Sequence, residues 1–150
     1  MKKRILTWML ALITSISTSY AAGIDGGTEN AKASFRKDFG GAEVIRWDNS
    51  KAFSKATFRY NGQVMFAYYS IQGHLMAVGE NILSDRLPLV LEISLKKNYS
   101  DYWVTDLFEV VNDGETSYYV TLENPDYVLI LKSSSTNGWE IYTRTKKASE

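Results

Sequence analysis

Hydrophobic and polar residues alternate along this chain with two periods, and the switches between them mark its elements. Ala31, Phe35 and Phe39 recur every four residues, the spacing of one helical face. Gly40 and Gly41 end that helix, because glycine takes the left-handed backbone of a helix terminus without steric cost. Beyond them the period drops to two. Ala56, Phe58 and Tyr60 alternate with Thr57 and Arg59, and Asn61-Gly62 is a tight-hairpin sequence. A β-rich run covers residues 64–70, Gln72-Gly73 offers a turn, and residues 74–82 return as a third strand. The four-residue spacing reappears in Leu91, Leu95 and Tyr99. Pro88 suits the first position of this second helix, where no amide donor is needed, and it pushes Leu87 out of helical geometry. Lys96 and Lys97 lie near its C-terminal end, where the dipole favours cations. Four strands follow, at 102–111, 117–123, 127–132 and 139–145. Their turns carry Asn112-Asp113-Gly114, Asn124-Pro125-Asp126 and Asn137-Gly138.

The two halves of this pattern match. Phe35 and Phe39 fall opposite Leu95 and Tyr99 at an offset of 60, Asn61 and Val64 opposite Asn124 and Tyr127 at 63, and Gly73 opposite Gly138 at 65. Each half reads helix, then a meander of strands. The pattern predicts an α+β domain of two tandem repeats, about 33–82 and 84–146, joined through one antiparallel sheet with both helices on one face.

The ends are of a different kind. Lys2, Lys3 and Arg4 precede an apolar run, 5–16, and a stretch of mostly small residues that ends at Ala22. That order is a secretory signal peptide, and Ser19 and Ala21 place the cut after Ala21. The run is too short for a helix to cross a bilayer core of about 30 Å. Residues 22–32, with Gly23, Gly26 and Gly27, read as a flexible leader and 147–150 as a tail, leaving 33–146 as a single domain. Removing residues 1–21 takes three basic residues from a balance of 17 against 17, so the mature chain carries a net charge of about −3. Scattered charge of that sign gives no footprint for nucleic acid and no polybasic membrane anchor. There are no cysteines, which excludes thiolate metal sites, thiol nucleophiles and a lipid-modified cysteine. The core must hold without disulfides.

The run Phe35-x-x-x-Phe39-x-x-Ala42-x-x-x-x-Trp47, the segment Gln72-Gly73-His74-Leu75-x-Ala77 and the Leu87-Pro88 helix start resemble the PepSY-like periplasmic proteins of Bacteroidota. These share the tandem-repeat fold of the β-lactamase inhibitor protein. The resemblance covers roughly 34–145, with Gly40-Gly41 standing where a proline or a longer link is expected. It implies a binding or inhibitory module and carries over no catalytic residue.

The residues themselves offer little chemistry. The only histidine, His74, follows Gly73 in a turn, and no serine stands in a Gly-x-Ser-x-Gly elbow, so a Ser–His–acid arrangement has no base. One histidine without cysteine does not build a zinc site. Asp113 and Asp126 lie in turns without an EF-hand loop. No glycine-rich phosphate loop is present. Glu80, Asp85, Asp101, Asp106, Glu109, Asp113 and Glu115 are spread through strands and turns, which leaves a carboxylate hydrolase as a distant third reading. No cofactor and no metal is expected, and the chain is not read as an enzyme.

Aromatic residues are the richest feature. Trp47, Phe58, Phe66 and Trp139 are assigned to the core. With Ala56, Phe58 and Tyr60 pointing inward, Thr57 and Arg59 point outward. The same count puts Met65, Ala67 and Tyr69 outward, then Tyr119, Thr121 and Glu123, then Glu140, Tyr142 and Arg144. Tyr, Arg and Met are enriched in protein interfaces. The expected partner surface is therefore Arg59, Met65, Tyr69, Tyr119, Tyr142 and Arg144 on the open sheet face, used by a secreted or periplasmic, non-catalytic domain to bind a protein or peptide, as an inhibitor would. The alternative is a small-ligand or envelope-lipid carrier with its ligand between sheet and helices; a deep apolar pocket would favour it. The expected mature N-terminus is Ala22. N-terminal sequencing of the envelope protein checks this, and an intact Met1 would refute export with cleavage.

Overall fold

The computed structural model describes residues 26–134 and 138–148. The segment read as a signal peptide, with its expected cut after Ala21, lies outside the described residues. In chain order the elements are α1 (Glu29–Asp38), β1 (Glu43–Asn49), β2 (Phe53–Tyr60), β3 (Gln63–Ser70), β4 (Leu75–Asn81), a 3₁₀ turn (Ser84–Arg86), α2 (Leu89–Asn98), β5 (Trp103–Asn112), β6 (Glu115–Glu123), β7 (Tyr127–Ser134) and β8 (Glu140–Lys146). All eight strands form one antiparallel sheet in the order of the chain. Each half is therefore one helix followed by four strands. The first half holds a strand, β1, that its sequence did not announce.

The repeat is visible residue by residue. Ala31 and Phe35 are the buried positions of α1, and Leu91 and Leu95, sixty residues on, are those of α2. Both helices close the same way, the Phe39 amide donating to the Phe35 carbonyl at 2.8 Å and Tyr99 to Leu95 at 2.9 Å. The register of β1 on β2 shifts between Val44 and Arg46, and that of β5 on β6 between Val104 and Asp106, again sixty apart. α1 starts earlier than expected, inside the segment read as a flexible leader. Thr28 caps it, its hydroxyl accepting from the Ala31 amide at 3.2 Å, and this satisfies one of the orphan donors of a helix start. Gly27 just before it has φ +118°, and a Cβ there would sit 2.7 Å from the Trp47 ring, so the leader's end is pinned against the core.

Two hairpins set which way every side chain faces. Asn61 and Gly62 have φ of 49° and 83°, and Asp113 and Gly114 have 51° and 79°. Two consecutive residues at positive φ make the turn whose twist matches that of the flanking strands. With a two-residue loop Tyr60 pairs with Gln63, so Phe58 pairs with Met65 and Ala56 with Ala67. Directly paired residues share a face. One row then runs Val44, Phe58, Met65, Glu80, Glu109, Tyr118, Ser133 across seven strands. The neighbouring row, on the other face, runs Arg46, Thr57, Phe66, Gly79, Val110, Ser117, Ser134.

Both helices pack on the first of these faces. Ala31 and Phe35 cover Trp47, Ala56, Phe58, Ala67 and Tyr69, and Leu91 and Leu95 cover Leu107, Val120, Leu122, Leu129 and Leu131. Between the two covered halves lies a polar seam. Glu80 and Glu109 face each other across β4 and β5, and Arg86 from the 3₁₀ turn donates to Glu80 Oε1 at 2.9 Å. Arg86 thereby sets one positive charge beside two facing carboxylates.

Trp47 is buried, as expected, and Phe35 meets it edge-on at 5.6 Å. Trp139 is only half-buried: it packs at the margin of the α2 cluster and its indole N–H donates to the Leu91 carbonyl at 2.9 Å. The two tryptophans should therefore respond differently. Trp47→Ala is expected to cost on the order of 3–5 kcal/mol, as for other buried aromatics, and Trp139→Phe about 1 kcal/mol for one hydrogen bond. Urea unfolding checks both, and a Trp47→Ala midpoint equal to wild type would mean that its indole is not part of the core.

Candidate binding surface

The face without helices is not a polar outer surface. Its central cluster, Phe53, Phe66, Tyr68, Ala77, Phe108, Val110, Tyr119 and Ile130, is drawn from strands alone, with Met76 and Tyr142 packed against it. The rings touch in sequence across the sheet: Phe53 to Tyr68 at 5.6 Å, Tyr68 to Phe66 at 5.9 Å, Phe66 to Phe108 at 5.5 Å, all edge-on. Tyr119 and Tyr142 meet at 6.1 Å and 90°. Edge-to-face geometry sets the positive ring edge against the negative ring face. Gly79 makes room for this packing. It lies directly opposite Phe66, and a Cβ there would come within 2.2 Å of the Phe66 ring, a close approach of the kind that places glycine inside a strand.

Two lysines lie over the rings. Lys55 Nζ is 5.1 Å from the Phe66 ring centre and 5.7 Å from that of Tyr68. Lys132 Nζ is 5.6 Å from that of Tyr119. Lys55 is paired with Tyr68 across β2 and β3, and Tyr119 with Lys132 across β6 and β7. Each repeat thus adds one lysine–tyrosine pair to the same face, the two residue types having exchanged strands.

Lys55 is 8% exposed, and among the described residues it makes no ion pair or hydrogen bond. Its cross-strand neighbour Asp48 is held by Arg46, whose Nε donates to Asp48 Oδ2 at 3.0 Å. Burial pulls the Lys55 ammonium below its ordinary pKa, with the charge of Asp48 opposing that fall and Arg46 adding to it. Cation–π contacts contribute about 0.5–2 kcal/mol, whereas taking an ammonium out of water costs several kcal/mol, so the rings do not offset the burial. Next to it, Tyr68 is 1% exposed and its hydroxyl has no hydrogen-bond partner. Burial foremost, then the charge of Asp48, pushes that phenol above its usual range.

The six residues expected to form one outward patch are split between the two faces. Arg59, Tyr119 and Tyr142 are on the strand-only face. Arg59 is exposed at its margin and donates to Glu43 at 3.0 Å. Tyr119, at 2% exposure, belongs to the buried cluster and is no free anchor; its phenol is raised by burial. Tyr142 is half-buried against it. Met65, Tyr69 and Arg144 are on the helix face. Met65 packs under α1. Tyr69 is fully buried there and its hydroxyl donates to Asp38 at the end of α1, at 3.1 Å. Arg144 pairs with Leu129, and its guanidinium lies 4.1 Å from the Tyr127 ring centre. Counting parity straight through the Asn61-Gly62 turn puts β3 on the wrong side, and the register shift between Ile130 and Leu131 does the same for Arg144. Phe66 is core, as assigned, but on the face opposite Phe58. Lys55, Tyr68 and Lys132 were missed. The turn itself was the available signal, since a two-residue loop pairs Lys55 with Tyr68 by counting outward from Tyr60 and Gln63.

Other surfaces are plainer. Three shallow clefts of 340, 430 and 270 Å³ lie at the margins of the helix layer, beside Gly40–Ala42, Ile82–Ser84 and Tyr99–Tyr102. α2 leaves Leu89, Val90 and Ile93 exposed in its N-terminal half, a second apolar patch. Among the described residues no group of acidic, histidine or cysteine side chains could hold a metal ion, and no helix is long and apolar enough to cross a membrane.

No family model and no curated protein matches the sequence. Solved structures do. One, from Bacteroides eggerthii and described as periplasmic, has a TM-score of 0.69 at 13% identity, over 80% of this chain and 88% of that one. A DUF2874 family protein of Bacteroides ovatus gives 0.68 at 16%, over 81% and 89%. A BLIP-like protein of Bacteroides fragilis gives 0.64 at 15%, over 83% and 89%. At such identities the likeness is one of architecture, and the chain has the tandem-repeat α+β fold of the BLIP-like proteins.

Proposed function

We propose that this chain is an exported, periplasmic domain that is not an enzyme and binds a protein or peptide partner through its strand-only face. The observation that carries the reading is the aromatic cluster built from strands alone on a face that neither described helix covers. Such a cluster is more than a solvated sheet needs, since the outer face of an antiparallel sheet is ordinarily polar. The signal-peptide pattern and the periplasmic assignment of a protein with this fold support the location. The mechanism is steric: side chains at the rim of the cluster, Arg59 and Tyr142 among them, lose water against a partner and cover whatever the partner presents. The carrier alternative has less support, because the clefts that the described residues line between helix and sheet, 340 Å³ beside α1 and 270 Å³ beside α2, lie at the low end of the roughly 300–1,000 Å³ typical of ligand sites.

The test compares two pairs of substitutions on immobilised mature protein. Arg59→Ala with Tyr142→Ala alters the strand-only face outside its fully buried core, and Val90→Ser with Ile93→Ser alters the α2 patch. Capture from native envelope extract, read by mass spectrometry beside a thermal melt, should fall at least tenfold for the first pair and stay unchanged for the second. Loss with the α2 pair alone would move the site to that helix.

A further inference from the structure

On the strand-only face two neighbouring residues carry polar groups that find no hydrogen bond or ion pair among the described residues, the Lys55 ammonium and the Tyr68 hydroxyl. Lys55 and Tyr68 are directly paired on adjacent strands, and the Lys55 nitrogen lies 5.7 Å from the Tyr68 ring centre. One is a cation without an ion pair and the other a phenol without an acceptor. A core position of this kind is filled more stably by an apolar side chain of the same shape, and the neighbouring row on the helix face is apolar, running Trp47, Ala56, Ala67 and Val78. Building on the binding role proposed above, we infer that Lys55 is the receptor for a carboxylate of a bound polypeptide, an Asp or Glu side chain docked at the ammonium beside the aromatic rings, with the enclosed Tyr68 ring supporting the lysine from below.

Charge complementarity selects that occupant. A carboxylate supplies the opposite charge to Lys55, and the hydrogen bond it accepts from the ammonium is charge-assisted. Asp48, directly across the strand pair from Lys55, accepts from Arg46 at 3.0 Å and makes no ion pair with Lys55. The second repeat offers a companion: Lys132 lies over Tyr119 on the same face, so a segment with two acidic residues could engage both. A hydrophobic peptide would leave the Lys55 ammonium covered and unsatisfied, which makes it a filter against purely apolar partners.

The probe is a displayed library of random dodecapeptides selected on the mature protein. Chosen peptides are then measured, with each Asp→Asn and Glu→Gln version, against wild type, Lys55→Met, Tyr68→Phe and Arg59→Ala/Tyr142→Ala. Lys55→Met and Tyr68→Phe keep the shape of the buried side chains, and a thermal melt of each should match or exceed wild type. The expected result is peptides that need one acidic residue: its amide version binds wild type at least tenfold more weakly, yet binds Lys55→Met within about threefold of the parent peptide. Peptides that lose affinity in Arg59→Ala/Tyr142→Ala but bind as well with the amide, or bind Lys55→Met undiminished, would overturn the carboxylate receptor and leave the face as a binding surface. Selection that yields no peptide sensitive to Arg59→Ala/Tyr142→Ala would overturn both.

Discussion

In an antiparallel sheet a side chain cannot choose its face independently of its neighbours. The pairing across each hairpin decides it, and here that pairing is fixed by turns with two successive residues at positive φ, Asn61-Gly62 and Asp113-Gly114. A shift of one residue at either turn would exchange the two faces of every strand beyond it. With the shift at Asn61-Gly62, Met65 and Tyr69 would leave α1, while Tyr68 would be driven beneath it. The contents of both layers therefore depend on four loop residues whose backbone only asparagine, aspartate and glycine adopt readily.

Given that register, the two layers are built on different physical terms. The helix layer is conventional: a stripe from each helix, four residues apart, closes over apolar strand positions, and the two stripes are related by the repeat. The other layer has no second tier of structure among the described residues and is held by edge-to-face rings, by the missing side chain at Gly79 and by lysine stems lying across the rings. That arrangement keeps a large apolar area out of water, at the cost of a poorly solvated ammonium. Natural domains tolerate such local costs where a surface is used rather than merely folded.

Much of the architecture was legible in the sequence because its signals are local. The four-residue spacings at Phe35 and Leu95, the turn dipeptides and the offset near 60 all survive in the fold with shifts of one or two residues at element ends. β1 escaped for a specific reason. The register shift between Val44 and Arg46 inserts Ile45 into the strand, so Val44 and Trp47 point the same way although they are three apart, and the period of two is erased in a strand of seven residues. The same irregularity in β5 did less harm, because that strand has ten residues and alternates cleanly after it. The candidate site was less legible than the fold. Its residues are defined by which face they occupy, a property of pairings, and a single miscounted turn moved Met65 and Tyr69 to the wrong layer. Tyr119 was placed on the correct face, but tyrosine type alone could not tell a buried ring from an exposed anchor.

The order of strands in the sheet has a consequence for how this molecule can come into being. Every strand pairs only with the strands before and after it in the chain, apart from the single junction where β4 meets β5 across α2. Nothing crosses over, so no early segment waits for a late one to complete its hydrogen bonds, and loop closures stay short. Each repeat can assemble as soon as its own helix and four strands are available, from one end to the other. With no cysteine to be paired, that assembly requires no oxidant and no disulfide reshuffling; each finished hairpin is the template on which the next strand closes.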